Sequence, residues 1–136
     1  KCAGSLTFTL HRAFDVCKDP YGTLEQAVCL GIDTILTSGQ ASVCTEGTEV
    51  LKKLIAQAGD RIEILAGGGV NAEVIRRMRK AANAASFHLS GKRAVNSGMI
   101  YRKQGVNMGV PGFSEYHILR TDKEEIEKAR QALDEK

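Results

Sequence analysis

The sequence predicts an α/β fold in which parallel strands alternate with helices. Three observations carry this. Strand-like and helix-like segments alternate four times along the chain. The strand-like segments end in LHRAFD, ILTSG, ILAGGG and FHLSG at similar intervals. A closed β/α barrel takes eight such units in roughly 250 residues, and this chain has 136 residues and four units. The expected architecture is therefore four βα units forming the C-terminal half of a TIM (β/α)8 barrel, as one partial domain over 1–136. A self-contained flavodoxin-like sheet is the competing arrangement, but it usually carries a fifth strand that the sequence does not offer.

Each element has a local reason. Leu6 to His11 starts with strand-forming residue types and ends in charge. Asp19-Pro20 supplies a capping side chain followed by proline at the first helical position. Leu24, Ala27 and Val28 give that helix an apolar stripe, and Gly31 stops it. Asp33 to Thr37 is the second strand, followed by a polar loop. A helix over Thr48 to Ala58 places Val50, Leu51, Leu54, Ile55 and Ala58 on one face, and Gly59 ends it. Arg61 to Ala66 is the third strand, and Gly67-Gly68-Gly69 is a turn. Asn71 then caps a helix that buries Val74, Ile75, Met78 and Ala82. Ala84 to Leu89 is the fourth strand. A long loop, 92–120, leads to Thr121-Asp122-Lys123-Glu124, a capping-box pattern. The terminal helix, 121–134, turns Ile126, Ala129 and Leu133 inward. The long loop covers the barrel mouth or packs against a neighbouring subunit.

Composition narrows the function classes. With 43% hydrophobic and 26% charged residues the chain reads as a folded domain, not a disordered or collagen-like one. No apolar run is long enough to span a membrane. The opening KCAGSLTFTLHRAFD lacks the apolar core of a signal peptide. A net charge of +3 is too small to imply a nucleic-acid partner. The basic cluster Arg76, Arg77, Arg79 and Lys80 reads as the solvated side of a helix. Cysteines stand at 2, 17, 29 and 44 with no CxxC pair, which favours a reducing compartment such as the cytoplasm. Cys2 is expected at the N-terminal end of its strand, away from the other strand ends.

In a parallel β/α array, chemistry gathers where the strands end. His11, Arg12 and Asp15, then Thr37 and Ser38, then Gly67, Gly68 and Gly69, then His88, Ser90, Lys92 and Arg93 are expected there. The glycine run lets backbone N–H groups approach an anion at the start of a helix. Ser90, Lys92 and Arg93 add donors and cations, so a small phosphorylated or carboxylated ligand fits this mouth. His11 or His88 is a candidate to move a proton, with Asp15 as its partner or as an acid. Only one of His11 and Arg12 can face the barrel axis. Cys17 and Cys44 both follow strand ends and are the candidate pair of thiolate ligands for a soft metal, whereas Cys29 reads as a packed small hydrophobe.

Read together, TLHRAFD (Thr9 to Asp15), LTSG (Leu36 to Gly39), AGGGV (Ala66 to Val70) and FHLSG (Phe87 to Gly91) resemble the CutC copper-homeostasis family, as does the later Ser97-Gly98-Met99 with Tyr101-Arg102. The match runs in order along nearly the whole chain. The resemblance implies a TIM barrel of which this chain is the second half, with the N-terminal half missing. It also implies a cytoplasmic homo-oligomer tied to copper, with Cu(I) as the metal. His11, Arg12, Asp15, Ser38, Gly67 to Gly69, His88 and Ser90 carry over as pocket residues. The family's usual copper-ligand cysteines lie in the missing half and do not carry over to Cys17 or Cys44.

Overall fold

In the computed structural model, which describes residues 4–106, 108–109, 112 and 114–135, four short strands lie side by side in one parallel sheet. They are β1 (Thr9–Leu10), β2 (Thr34–Thr37), β3 (Glu63–Ala66) and β4 (Ser86–Phe87), in spatial order β1-β2-β3-β4. Thr34 pairs with Thr9 on one side and Glu63 on the other, and Ala66 pairs with Thr37 and Phe87. Sequence order equals spatial order, with no reversal at any strand. A doubly wound sheet reverses at its switch point, so the flavodoxin-like arrangement is excluded and the sheet is a partial β/α barrel. Cys2 lies outside the described residues.

Helices α1 (Pro20–Cys29), α2 (Thr48–Ala58), α3 (Ala72–Ala82) and α4 (Lys123–Asp134) alternate with the strands. Each packs on the next, α1 on α2, α2 on α3 and α3 on α4. Strand alternation explains the core. Ile35, Ile64 and Ala66 turn to the helices and are buried with Leu24, Leu51, Leu54 and Met78. Burying each of these leucines is worth about 2–3 kcal/mol. A smaller cluster, Ile75 with Ala129 and Ala132, joins α3 to α4. Among the described residues no helix is long and apolar enough to cross a membrane.

The caps follow the side-chain chemistry. Asp19 accepts from the Tyr21 and Gly22 N–H groups, and Asn71 accepts from the Val74 N–H. Helix α4 starts one residue later than the capping-box pattern places it. Asp122 is its N-cap and accepts from the Glu124 N–H at 2.9 Å, because Thr121 is occupied as the last residue of a strand.

The predicted loop 92–120 is the main correction to the fold. Its two ends are strands, β5 (Lys92–Asn96) and β6 (His117–Thr121), paired antiparallel from Lys92↔Thr121 to Asn96↔His117. Twenty residues separate the two strands, and the short-range turn signals that reveal a hairpin do not operate over that distance. The ribbon is anchored where Asp122 N–H donates to Gly91 O and Thr121 Oγ1 donates to Ser90 O. The fourth sheet strand is also shorter than Ala84 to Leu89. It sits at the sheet edge and pairs only with β3.

Candidate functional site

After β1 the chain makes a short 3-10 turn, Arg12–Val16, that the sequence did not signal. His11 caps it: its Nδ1 accepts from the Ala13 N–H at 3.1 Å. That turn swings Arg12 and Asp15 across the end of β2. Arg12 Nε lies 2.7 Å from Asp15 Oδ2. Its Nη2 donates to Ser38 Oγ at 2.6 Å and to Ala41 O at 2.9 Å.

Asp15 is the hub. It accepts from Thr37 Oγ1, from the Ser38 N–H and from the Gln40 N–H, in addition to Arg12. Ser38 Oγ also lies 3.0 Å from Asp15 Oδ2 and donates to Ala41 O. Burial pushes the Asp15 carboxyl up. The hydrogen bonds from Thr37, Arg12, Gln40 and Ser38 more than offset it, and the net shift is below the usual carboxylate range. Asp15 is therefore held as a carboxylate and is unsuited to act as an acid. Its partner is Arg12; the expected pairing with a histidine does not form.

The loop 38–47 is folded by two glycines in backbone contact. A side chain on Gly39 would meet Gly47 O at 2.4 Å, and one on Gly47 would meet Ser38 O at 2.0 Å. Gln40 takes φ +60°, an uncommon conformation for a residue with a side chain. Its Nε2 donates to Cys17 O at 2.6 Å, tying the turn after β1 to the loop after β2. Gly39, Gln40, Ala41 and Gly47 were missed by sequence reasoning. The SG pair closing ILTSG is the only local sign of them.

Gly68 completes the cluster. It sits at φ +93°, and an added Cβ would lie 3.4 Å from Arg12 Nη1 and 3.3 Å from Ser42 O. Gly67 spends its N–H on Thr37 O, and Gly68 O accepts from the Cys44 N–H. The Gly68 and Gly69 N–H groups meet no acceptor among the described residues. So Arg12, Asp15, Ser38 and Gly68 converge at one strand-end mouth, as expected.

The fourth strand end contributes differently. His88 is exposed, with its backbone N–H on Ala66 O and its Cβ 3.7 Å from where a Gly67 Cβ would stand. A cleft of about 310 Å³ opens where the chain leaves this strand end, lined by Gly69, Asn71, Ser90, Gly91, Lys92 and Glu125 among others. Arg93 does not join Lys92 there. The two are neighbours on a strand and point to opposite faces, and Arg93 Nε pairs with Asp122 Oδ2 at 2.7 Å.

The metal candidates do not form a centre. Cys44 is fully buried in the apolar core, where burial pushes its thiol up, away from the thiolate that a soft metal needs. Cys17 is half-buried, 3.6 Å from Gln40 Nε2, and Cys29 is exposed rather than packed. Among the described residues, no group of three His, Cys, Asp or Glu side chains is placed to hold a metal ion. The basic cluster on α3 ties that helix to the chain end. Arg76 clamps Glu135 through two bonds of 2.8 and 2.7 Å, and Arg79 donates to Ala132 O and Glu135 O.

The CutC family model matches residues 1–93. A CutC family protein of Chromobacterium violaceum is 38% identical over 132 residues, covering 97% of this chain and 53% of that protein. The copper homeostasis protein cutC homolog of Mus musculus is 40% identical over 118 residues, 86% of this chain and 43% of the relative. The crystal structure of a CutC protein from Streptococcus agalactiae superposes with a TM-score of 0.58 at 33% identity, over 62% of this chain and 42% of that one. The chain spans about half the length of the curated relatives it matches.

Proposed function

The chain belongs to the CutC family, and on that premise we propose that it supplies the ligand-binding strand ends of a cytoplasmic barrel concerned with copper homeostasis. The ligand is a small phosphorylated or carboxylated molecule. The observation that carries this reading is the setting of Arg12. Three of its contacts, to Asp15, Ser38 and Ala41, fix the guanidinium, and Nη1 is left directed at the side-chain-free Gly68. A guanidinium fixed in this way is pre-organised for planar recognition of a carboxylate or phosphate. The Gly68 amide lies beside Arg12, and Gly69 and Lys92 line the adjoining cleft, which suits an anion.

The remaining groups take supporting parts. Asp15 is a positioning residue that aims Arg12. His11, with Nδ1 already used at the cap, has Nε2 left, and His88 is exposed at the fourth strand end. These two imidazoles are the proton-moving groups of this reading. Copper enters through the name of the mouse relative. Cys17 and Cys44 do not suit a Cu(I) centre, because the second thiol is sealed in the core.

Titration with inorganic phosphate, followed by amide NMR of the intact chain, tests this. Saturable shifts centred on Gly68 and Gly69 are expected, with at least roughly tenfold weaker binding in Arg12→Ala. Shifts scattered over surface lysines, or unchanged in Arg12→Ala, would remove the proposal. A homo-oligomer built on this barrel would show as a sedimentation coefficient above the monomer value.

A further inference from the structure

The face of the sheet turned away from the helices carries a carboxylate, Glu63, where β3 begins. Register puts Thr34, Leu36, Glu63, Leu65 and Ser86 on that side. Leu36 and Leu65 belong to neither apolar cluster and stay half-buried, while Glu63 is exposed. Glu63 is held in place. Its Oε2 accepts from Thr34 Oγ1 on β2 at 3.1 Å, and its Oε1 accepts from Ser86 Oγ on β4 at 2.6 Å. Two flanking strands thus aim one carboxylate into the space that a closed barrel fills with side chains. Among the described residues no ion pair includes Glu63.

We infer that the strands which close this face present a cationic side chain to Glu63, so that the carboxylate sets the register between the two halves of the barrel. Closure takes Glu63 out of water. A buried carboxylate is tolerated when it is paired and hydrogen-bonded, and the two hydroxyls leave the charge itself unmatched. The occupant is a set of further β/α units of the same fold carrying an inward Lys or Arg. The relatives have the length for such units, since this chain spans 53% and 52% of two of them. A second copy of this chain fits worse, because it would bring a second Glu63 into the same closed interior. The inference rests on the barrel reading and not on the anion at the strand ends, and its test uses no ligand.

The test fuses this chain to the portion of the Chromobacterium violaceum relative that lies outside the aligned 132 residues, in the relative's own chain order. Unfolding in urea is compared for the parent fusion, Glu63→Gln and Glu63→Lys. Both variants are expected to lower the folding equilibrium constant by at least roughly tenfold, Lys more than Gln, because each strands the opposing cation. Where Glu63→Lys fails to fold, Glu63→Gln alone decides. An unchanged or more stable Glu63→Gln fusion overturns the inference, since it would mean that no cation meets the carboxylate. So does an unfolded parent fusion, or a tight dimer of the unfused chain that Glu63→Gln strengthens.

Discussion

Arg12 and Asp15, three residues apart on a single 3-10 turn, form an ion pair of 2.7 Å whose carboxylate is 8% exposed and whose guanidinium is 42% exposed. One end of the pair is sealed by the loop after β2, and the other faces the strand-end mouth. This asymmetry makes Asp15 structural and leaves Arg12 available to a ligand.

Removing the sealed end should therefore cost stability. Asp15→Ala leaves the Thr37 hydroxyl and the Ser38 N–H, both on fully buried residues, without their acceptor. A loss of about 2–3 kcal/mol is expected in urea unfolding, discounted from the fully buried case because Arg12 is part-exposed. Arg12→Ala should cost less, about 1 kcal/mol. The reverse order would contradict the assignment of Asp15 as the hub.

The loop 38–47 gives a paired test of backbone contact. Gly47→Ala puts a methyl 2.0 Å from Ser38 O, whereas Gly59→Ala, at φ +53°, meets nothing within 4 Å. The second substitution should cost about 1–3 kcal/mol for its backbone alone, because φ 53° with ψ −132° is a conformation that glycine adopts far more readily than alanine. The first should cost about 3 kcal/mol or more, because backbone must move. Thermal unfolding of the two variants, side by side, checks this.

Acid sensitivity has an identifiable source. Arg61 grips Glu25 through two bonds of 2.7 and 2.8 Å. The Arg61 guanidinium, helped by the Gln57 amide, holds the Glu25 carboxyl down from 4.5 to about 2. A depressed carboxylate contributes stability above its unfolded pKa and loses it as pH falls through the folded one. The Glu25 contribution should thus be intact above pH 4.5 and vanish towards pH 2. Asp15, also depressed from 3.8, acts in the same direction over the lower part of that range. In Glu25→Gln, the slope of stability against pH between 4.5 and 2 should flatten but not disappear.

Thiol labelling reports the core directly. Cys29 is exposed and Cys44 fully buried, with its thiol pushed up by that burial. Under native conditions Cys29 should react with iodoacetamide roughly a hundredfold faster than Cys44, and denaturant should equalise them. Comparable native rates would mean that the core around Cys44 opens.

Arg79 binds the far end of α4. Its two bonds reach Ala132 O and Glu135 O, at the end of the helix, where carbonyls lack partners. Arg79→Ala should cost about 1 kcal/mol and raise amide exchange over the last turn of α4. Arg77→Ala, where the side chain makes no hydrogen bond or ion pair among the described residues, should leave both unchanged.

Much of the fold was legible because its signals are local. Asp19-Pro20 capped α1, Asn71 capped α3, and Thr48–Ala58 formed α2 with the predicted Leu51, Leu54 and Ala58 buried. Repetition of strand endings indicated parallel order before any pairing was known. The β5–β6 ribbon was not legible, since its pairing bridges twenty residues and depends on contacts no short window contains. Of the site, the residue types were readable and their partners were not. Asp15 stands just beyond His11 and the first strand, yet it turned to Arg12, Thr37, Ser38 and Gln40.

By itself, then, the sequence determined which residues stand at the strand ends, because the chain's alternation of strand and helix is written in hydrophobic period and caps. Only the tertiary structure decided what each one meets. Lys92 parted from Arg93 across a strand's two faces, Cys44 sank into the core, and Glu63 was aimed at an open face by hydroxyls from two other strands. Those outcomes depend on side-chain direction and on neighbours distant in sequence, and neither is encoded within any one segment.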